Sequence, residues 1–346
     1  MDRATGRAIV NRHFLNRRQF SARCAAFGLT LPLANAVHAV QAAAPVVTAT
    51  GAASAAARHR VHWPDGTAVP ALGQGAWHLG QDRHPPAVEA EAIRTGISLG
   101  MTLIDTSGNY GDGRSEQFIG RVIAGQRDHI FLVSKVEAGD VTGDAIARAC
   151  AASLARLGTG YLDLYLLHWP VASTQFSAVV AAFERLRAAG KIRAWGVSNF
   201  SRSQMEDLFR VPDGHRCATN QVPYSLYDRR IERDVLPWCI RNNMPVMAYS
   251  PLGGDNSPLV NDRTLAQIGA AHGCSAAAIA LAWLIRSGKV IAIPESGSPA
   301  HARANAAALS TTLTAADVAM LDAQYPIPSE ATELLRRLRR LVSRWL

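Results

Sequence analysis

Several things are scarce in this chain, and each scarcity excludes something. Charged residues make up 18% of 346, below the usual quarter, which argues against long disordered polar regions. Five cysteines are present and none forms a CxxC pair, so a zinc site of the common spacing is excluded. Cys24 lies near the N-terminus; Cys150, Cys217, Cys239 and Cys274 are far apart. Their even number permits disulfides in an exported protein, although single cysteines in apolar helices more often serve as small core residues. A GxGxxG loop is missing. Leu72-Gly73-Gln74-Gly75-Ala76 does not supply one, which weighs against a doubly wound dinucleotide-binding sheet.

A basic binding face is missing too, despite a net charge of +9. Residues 1–44 carry Arg3, Arg7, Arg12, Arg17, Arg18 and Arg23 against Asp2. Residues 333–346 carry Arg336, Arg337, Arg339, Arg340 and Arg344 against Glu333. Those two ends account for the whole excess. The middle is neutral, so no nucleic-acid partner is implied.

What is there is enough apolar material, 48% of the chain, for one large core. The N-terminus reads as an address. A basic segment precedes an apolar run from Cys24 to about Val37, too short to span a membrane. Small residues follow, with Val37-His38-Ala39 or Ala42-Ala43-Ala44 as cleavage sites. Arg17-Arg18-Gln19-Phe20 resembles the twin-arginine signal of bacteria. Residues 1–44 are therefore expected to be a signal peptide directing the protein to the periplasm. A mis-assigned start or a disordered arm is the other reading, and leaves the protein cytoplasmic. Residues 45–59, rich in Ala, Thr, Gly and Ser, read as a flexible linker.

From Arg60 to Pro70 the pattern is a hairpin turning at Pro64-Asp65-Gly66. Eight near-continuous apolar runs then alternate with helical stretches. The runs are 71–77, 102–107, 130–135, 162–169, 192–199, 218–222, 245–251 and 290–296; the helices include Ala87–Leu99, Asp144–Leu157 and Phe176–Ala189. Gly100, Gly158 and Gly190 stand where helix C-terminal caps are expected. Strands apolar on both faces belong to a buried parallel sheet. Eight β/α units predict an α/β fold, a (β/α)8 TIM-type barrel over residues 60–330.

Polar residues interrupt these runs at their C-terminal ends: Asp105, Lys135, His168, Ser198-Asn199, Gln221, Tyr249 and Ser296. Singly, each would pass as a buried ion pair or packed core. Together they converge on the face where such barrels keep their sites. At these residues the sequence resembles the aldo-keto reductase family, from about Arg60 to about Tyr325. The strings are Leu103-Ile104-Asp105-Thr106-Ser107-Gly108-Asn109-Tyr110-Gly111, Val133-Ser134-Lys135, Leu166-Leu167-His168-Trp169-Pro170, Gly196-Val197-Ser198-Asn199-Phe200, Asn220-Gln221-Val222 and Tyr249-Ser250-Pro251-Leu252. The bacterial branch of small-aldehyde and diketogulonate-type reductases is the nearest in flavour.

The resemblance implies hydride addition to a carbonyl, with Tyr110 as the proton donor. A free tyrosine, with a pKa of about 10, donates poorly near neutrality. An ammonium at Lys135 is expected to lower that value, with Asp105 holding Lys135 in place. His168 is expected to hydrogen-bond the carbonyl oxygen. By the same resemblance Ser198, Asn199 and Gln221 bind the nicotinamide carboxamide, Tyr249 stacks on its ring, and Ser250 and Leu252 contact the pyrophosphate. Trp77 and Trp169 wall the substrate pocket, unless they are core residues. The cofactor implied is NADP(H), and no metal is expected. One stretch departs from the family: Ile293-Pro294-Glu295-Ser296, then His301 and Ala304-Asn305, where Ile-Pro-Lys-Ser, an arginine and Glu-Asn are usual. Glu295 and His301 replace the basic residues that meet the 2′-phosphate, so NAD(H) use is also expected.

Leu334, Leu335, Leu338, Leu341, Val342 and Trp345 recur at helical spacing among arginines. Residues 331–346 thus read as a basic amphipathic tail, either packed on the barrel or touching an anionic membrane surface. The sum is a monomeric carbonyl reductase of small aldehydes, ketones or α-dicarbonyls. The rival is a cofactor-binding sensor or subunit with little turnover.

Overall fold

The computed structural model describes residues 59–63, 65–137, 143–254 and 257–329, all within the compact unit Val47–Leu346. The expected signal peptide, nearly all of the linker, Pro64 of the expected turn and the C-terminal tail lie outside the described residues.

The hairpin forms as expected. Strands β1 (Arg60–His62) and β2 (Ala68–Pro70) pair antiparallel. Asp65 Oδ1 accepts a hydrogen bond from the Thr67 amide at 2.9 Å across the turn. Trp63 packs edge-on against Phe131, the first residue of a barrel strand. The hairpin therefore sits at the N-terminal end of the barrel.

Eight parallel strands follow: β3 (Gly73–Gly75), β4 (Leu103–Asp105), β5 (Phe131–Val136), β6 (Leu162–Leu167), β7 (Ile192–Ser198), β8 (Asn220–Pro223), β9 (Val246–Tyr249) and β10 (Val290–Ala292). They pair in chain order. Bridges at Leu72–Ala292 and Gly75–Glu295 join the last strand to the first, with the Gly75 amide donating to Pro294 O at 3.0 Å. A sheet joined to itself has no open edge. Its strands are buried on both faces, β6 throughout, which is why they read as continuous apolar runs.

The helices that follow the strands are α1 (Pro86–Ser98), α2 (Arg114–Val122), α3 (Gly143–Leu157), α4 (Phe176–Ala188), α5 (Arg202–Arg210), α6 (Val235–Arg241), α7 (Arg263–His272), α8 (Ala276–Ile285), α9 (Pro299–Ala306) and α10 (Ala315–Gln324), the last two after β10. Local chemistry sets their ends. Ser201 and Gln204 form a reciprocal capping box at α5, and Thr314 and Asp317 form another at α10. Gly100, Gly158 and Gly190 adopt φ of +94°, +64° and +67°, the left-handed turn that stops a helix at low steric cost. The cysteine reading holds as well: Cys150, Cys217, Cys239 and Cys274 are free thiols, the first three buried.

Candidate active site

Each polar strand end expected from the sequence lies at the C-terminal face of the barrel. Short parallel strands end there and hand the chain to a loop, so the last inward-facing residue meets a cavity. That cavity has a volume of 770 Å³, within the range of small-molecule sites. Asp105, Tyr110, His168, Ser198, Asn199, Gln221, Tyr249, Ser250, Leu252 and Glu295 line it, as do Trp77 and Trp169.

Lys135 lies beneath the lining, fully buried at the end of β5. Its ammonium has three hydrogen-bond partners: Asp105 Oδ2 at 2.7 Å, Thr106 O at 2.9 Å and Tyr110 OH at 3.1 Å. These match its three N–H donors. The second Asp105 oxygen accepts from Gln221 Nε2 at 2.8 Å. A continuous chain therefore runs from Gln221 through Asp105 and Lys135 to the Tyr110 hydroxyl in the cavity wall. The His168 ring stands edge-on to Tyr110, with 5.8 Å between centroids. Its Nδ1 lies 2.5 Å from Glu137 Oε1 and 3.4 Å from Ser107 Oγ.

The electrostatics correct one expectation. Burial pushes the Tyr110 phenol above its ordinary value. The Lys135 ammonium opposes that, while Asp105 and Glu295 add to it, and the net direction is upward. Weighing the ammonium alone predicted a lowered value; loss of water around the phenolate outweighs it. Lys135 is itself disfavoured by burial, yet Asp105 and Tyr110 overcome this and raise it. Burial and then the Lys135 charge hold His168 down to about 3, so the imidazole on its own is neutral near pH 7.

Beyond the ion pair, Ser198, Asn199, Gln221 and Tyr249 are tied together. Ser198 Oγ donates to Gln221 O at 2.9 Å, Asn199 Nδ2 donates to His168 O at 3.1 Å, and Tyr249 OH donates to Asn199 Oδ1 at 2.9 Å. Asn199 and Ser250, each just after a strand, take positive φ of +64° and +47°. Such backbone conformations are uncommon outside glycine and cluster at functional sites. Trp77 is 58% exposed and Trp169 48%, which settles their alternative: neither is a core residue, and both stand at the cavity rim. Trp77 stacks on His78 at 4.3 Å.

Ser296, His301 and Asn305 do not line the cavity. Ser296 makes a tight turn with Ser298 before α9, His301 is exposed on that helix, and Asn305 is buried on it. Glu295 does line the cavity. Its two oxygens meet the amide of His78 at 3.0 Å and His78 Nδ1 at 2.9 Å, so the carboxylate is drawn across the seam toward β3. Sequence reasoning missed two residues, His78 and Glu137. Nothing local marks His78. Glu137 did carry a signal: it is two positions beyond Lys135, and alternation along a strand puts i and i+2 on one face.

The profile of the Aldo/keto reductase family matches residues 71–326. The chain belongs to the aldo/keto reductase family. It is an NAD(P)-dependent oxidoreductase. Among its relatives is the methylglyoxal reductase YeaE of Escherichia coli (strain K12), 48% identical over 269 residues, covering 77% of this chain and 94% of that one. A crystal structure of an aldo/keto reductase from Klebsiella pneumoniae, in complex with NADP and acetate, superposes with a TM-score of 0.75 at 44% identity, covering 79% of this chain and 97% of that one. The thermostable aldo-keto reductase Tm1743, in complex with the inhibitor epalrestat, gives a TM-score of 0.69 at 34% identity over 76% of this chain and 98% of the other.

Proposed function

We propose that this protein reduces the carbonyl group of small aldehydes, ketones or α-dicarbonyls to an alcohol, using NADP(H) with Tyr110 as general acid. The observation that carries this reading is the Lys135 ammonium, bonded at once to Asp105 and to the Tyr110 hydroxyl under a cavity of substrate size. A purely structural ion pair has no need to end on a phenol facing open space.

The residues fit the cofactor. Ser198, Asn199 and Gln221 offer hydroxyl and amide groups to a carboxamide, and Tyr249 offers a flat ring fixed by its bond to Asn199. When bound, the reduced nicotinamide supplies the hydride. Tyr110 then gives its phenolic proton to the carbonyl oxygen as negative charge gathers there. The raised pKa keeps the phenol protonated through the neutral range and makes it the weaker acid, so the transfer leans on the cation beside it. Lys135 stabilises the phenolate left behind, and Asp105 keeps Lys135 charged and aimed. His168 reaches the same oxygen from the other side of Tyr110. Trp77 and Trp169 exclude water at the rim. The family relationship and the Klebsiella pneumoniae complex support NADP(H). Glu295 and His301 remove cations from the 2′-phosphate end, which supports use of NADH as well.

The name of the Escherichia coli relative makes methylglyoxal the first substrate to try. Turnover of methylglyoxal with purified protein is expected with both NADPH and NADH. A strong NADPH preference would refute the relaxed cofactor choice. Cofactor binding without turnover on a wide carbonyl panel would favour the sensor reading, against which the intact Asp105–Lys135–Tyr110 chain argues. Periplasmic placement through twin-arginine export is supported by Arg17-Arg18-Gln19-Phe20 ahead of an apolar run. Replacing both arginines by lysine is expected to retain unprocessed protein in the cytoplasm. Weak membrane-surface contact through residues 333–346 is tested by vesicle flotation with and without them, and a monomer by sizing chromatography.

A further inference from the structure

The Glu137–His168 contact is not used by the mechanism above, and its geometry constrains the mechanism. Nδ1 and Oε1 stand 2.5 Å apart. Two lone pairs cannot face each other at that separation, so a proton lies between them. A neutral imidazole carries only one N–H. If that proton sits on Nδ1, Nε2 is a bare acceptor and cannot donate to a substrate oxygen. Nε2 carries a hydrogen only when the pair holds a second proton, either as imidazolium with carboxylate or as neutral imidazole with the carboxylic acid.

We infer that Glu137 is a positioning residue which fixes the tautomer of His168 and so decides whether the imidazole donates to, or only accepts from, the reacting oxygen. Glu137 suits this part. Its side chain is 44% exposed, so it exchanges protons with solvent while its partner faces the cavity. The other groups around the imidazole are Lys135 with Asp105 behind it, Tyr110 beside it, Glu295 across the cavity and the polar Ser107 and Asn109. Lys135 opposes a charge on His168 and favours one on Glu137, while burial raises Glu137 and lowers His168. The two groups share a proton and titrate as a unit. The sign follows: at low pH the pair holds two protons and Nε2 donates. As pH rises the pair keeps one, on Nδ1, and the carbonyl loses a hydrogen bond.

The test has two arms, and only the kinetic arm rests on the carbonyl-reduction reading. In the first, imidazole nitrogen spectra of the full-length protein without cofactor are followed with pH, the His168 signal being assigned by its loss in His168→Gln. At alkaline pH wild-type His168 is expected as the Nδ1–H tautomer, moving toward Nε2–H in Glu137→Gln. An Nε2–H tautomer in alkaline wild type would overturn the inference whatever the enzyme turns over. In the second arm, KM for methylglyoxal in wild type is expected to rise roughly three- to tenfold with pH, the worth of one hydrogen bond, and to stay level in Glu137→Gln. The same pH profile in both proteins would overturn it. Absence of all turnover would count against carbonyl reduction and leave the tautomer result standing.

Discussion

At the N-terminal end of the barrel Asp163 meets Arg127 at 2.8 Å; at the C-terminal end Asp105 meets Lys135 at 2.7 Å. Both carboxylates are buried, and both cations make several hydrogen bonds. The partners differ. Arg127 also donates to Ile130 O, Tyr161 O and Thr159 Oγ1, and Asp163 accepts from the Leu132 amide. That end of the barrel spends its charges on backbone and stitches the starts of β5 and β6 together. Lys135 has one backbone partner and one phenol. Under the proposed function, the same kind of ion pair is structural where it closes on the main chain and chemical where it ends on a phenol in a cavity. A planar guanidinium suits the first task and a compact ammonium the second.

Breaking either pair tests this contrast. Lys135→Met should have the largest effect, because it strikes both activity and stability. It leaves Asp105 buried and unpaired, costing about 3–5 kcal/mol, and kcat should fall by about 10²–10⁴; urea unfolding beside steady-state kinetics measures both. Arg127→Met should cost less, about 1–3 kcal/mol, because Arg193 still stands 3.4 Å from Asp163, while kcat of the folded enzyme stays near wild type. Loss of kcat without loss of stability there would erase the contrast. On pH, the Tyr110 phenol is held above its ordinary value and stays protonated from acid through neutral. The reduction kcat should therefore hold level across that range and decline only in the alkaline range where the phenol ionises; a decline starting near neutrality would show Lys135 outweighing burial. Smallest is Trp77→Ala. It removes an exposed rim side chain, so stability should move by no more than about 0.5 kcal/mol, while KM for the carbonyl rises.

Much of the site was legible because barrel strands put their last residues on one face. Asp105, Lys135, His168, Gln221 and Tyr249 are near or at strand ends, and a count of apolar runs located each. What was not legible had physical causes. His78 and Glu295 are 217 positions apart and meet only because the sheet closes, so no local pattern reveals the pair. The sequence puts Glu295 where a lysine usually meets the 2′-phosphate, but its bonds to His78 are visible only in the fold. The Tyr110 direction was misjudged because residue identity reports the neighbouring charge and not the water lost around the phenol. Glu137 was overlooked although the two-residue period of β5 places it beside Lys135. Its partner His168 lies just past the end of the next strand, and only the fold brings the two together.

The central claim is that the Lys135-bound hydroxyl of Tyr110 is the proton donor of a carbonyl reduction. Its most direct test is NADPH oxidation with methylglyoxal by wild-type protein and by Tyr110→Phe, each with cofactor affinity and thermal midpoint measured alongside. Turnover is expected in wild type, with a loss of about 10²–10⁴ in the variant and cofactor binding and stability nearly unchanged. Turnover preserved in Tyr110→Phe would contradict it.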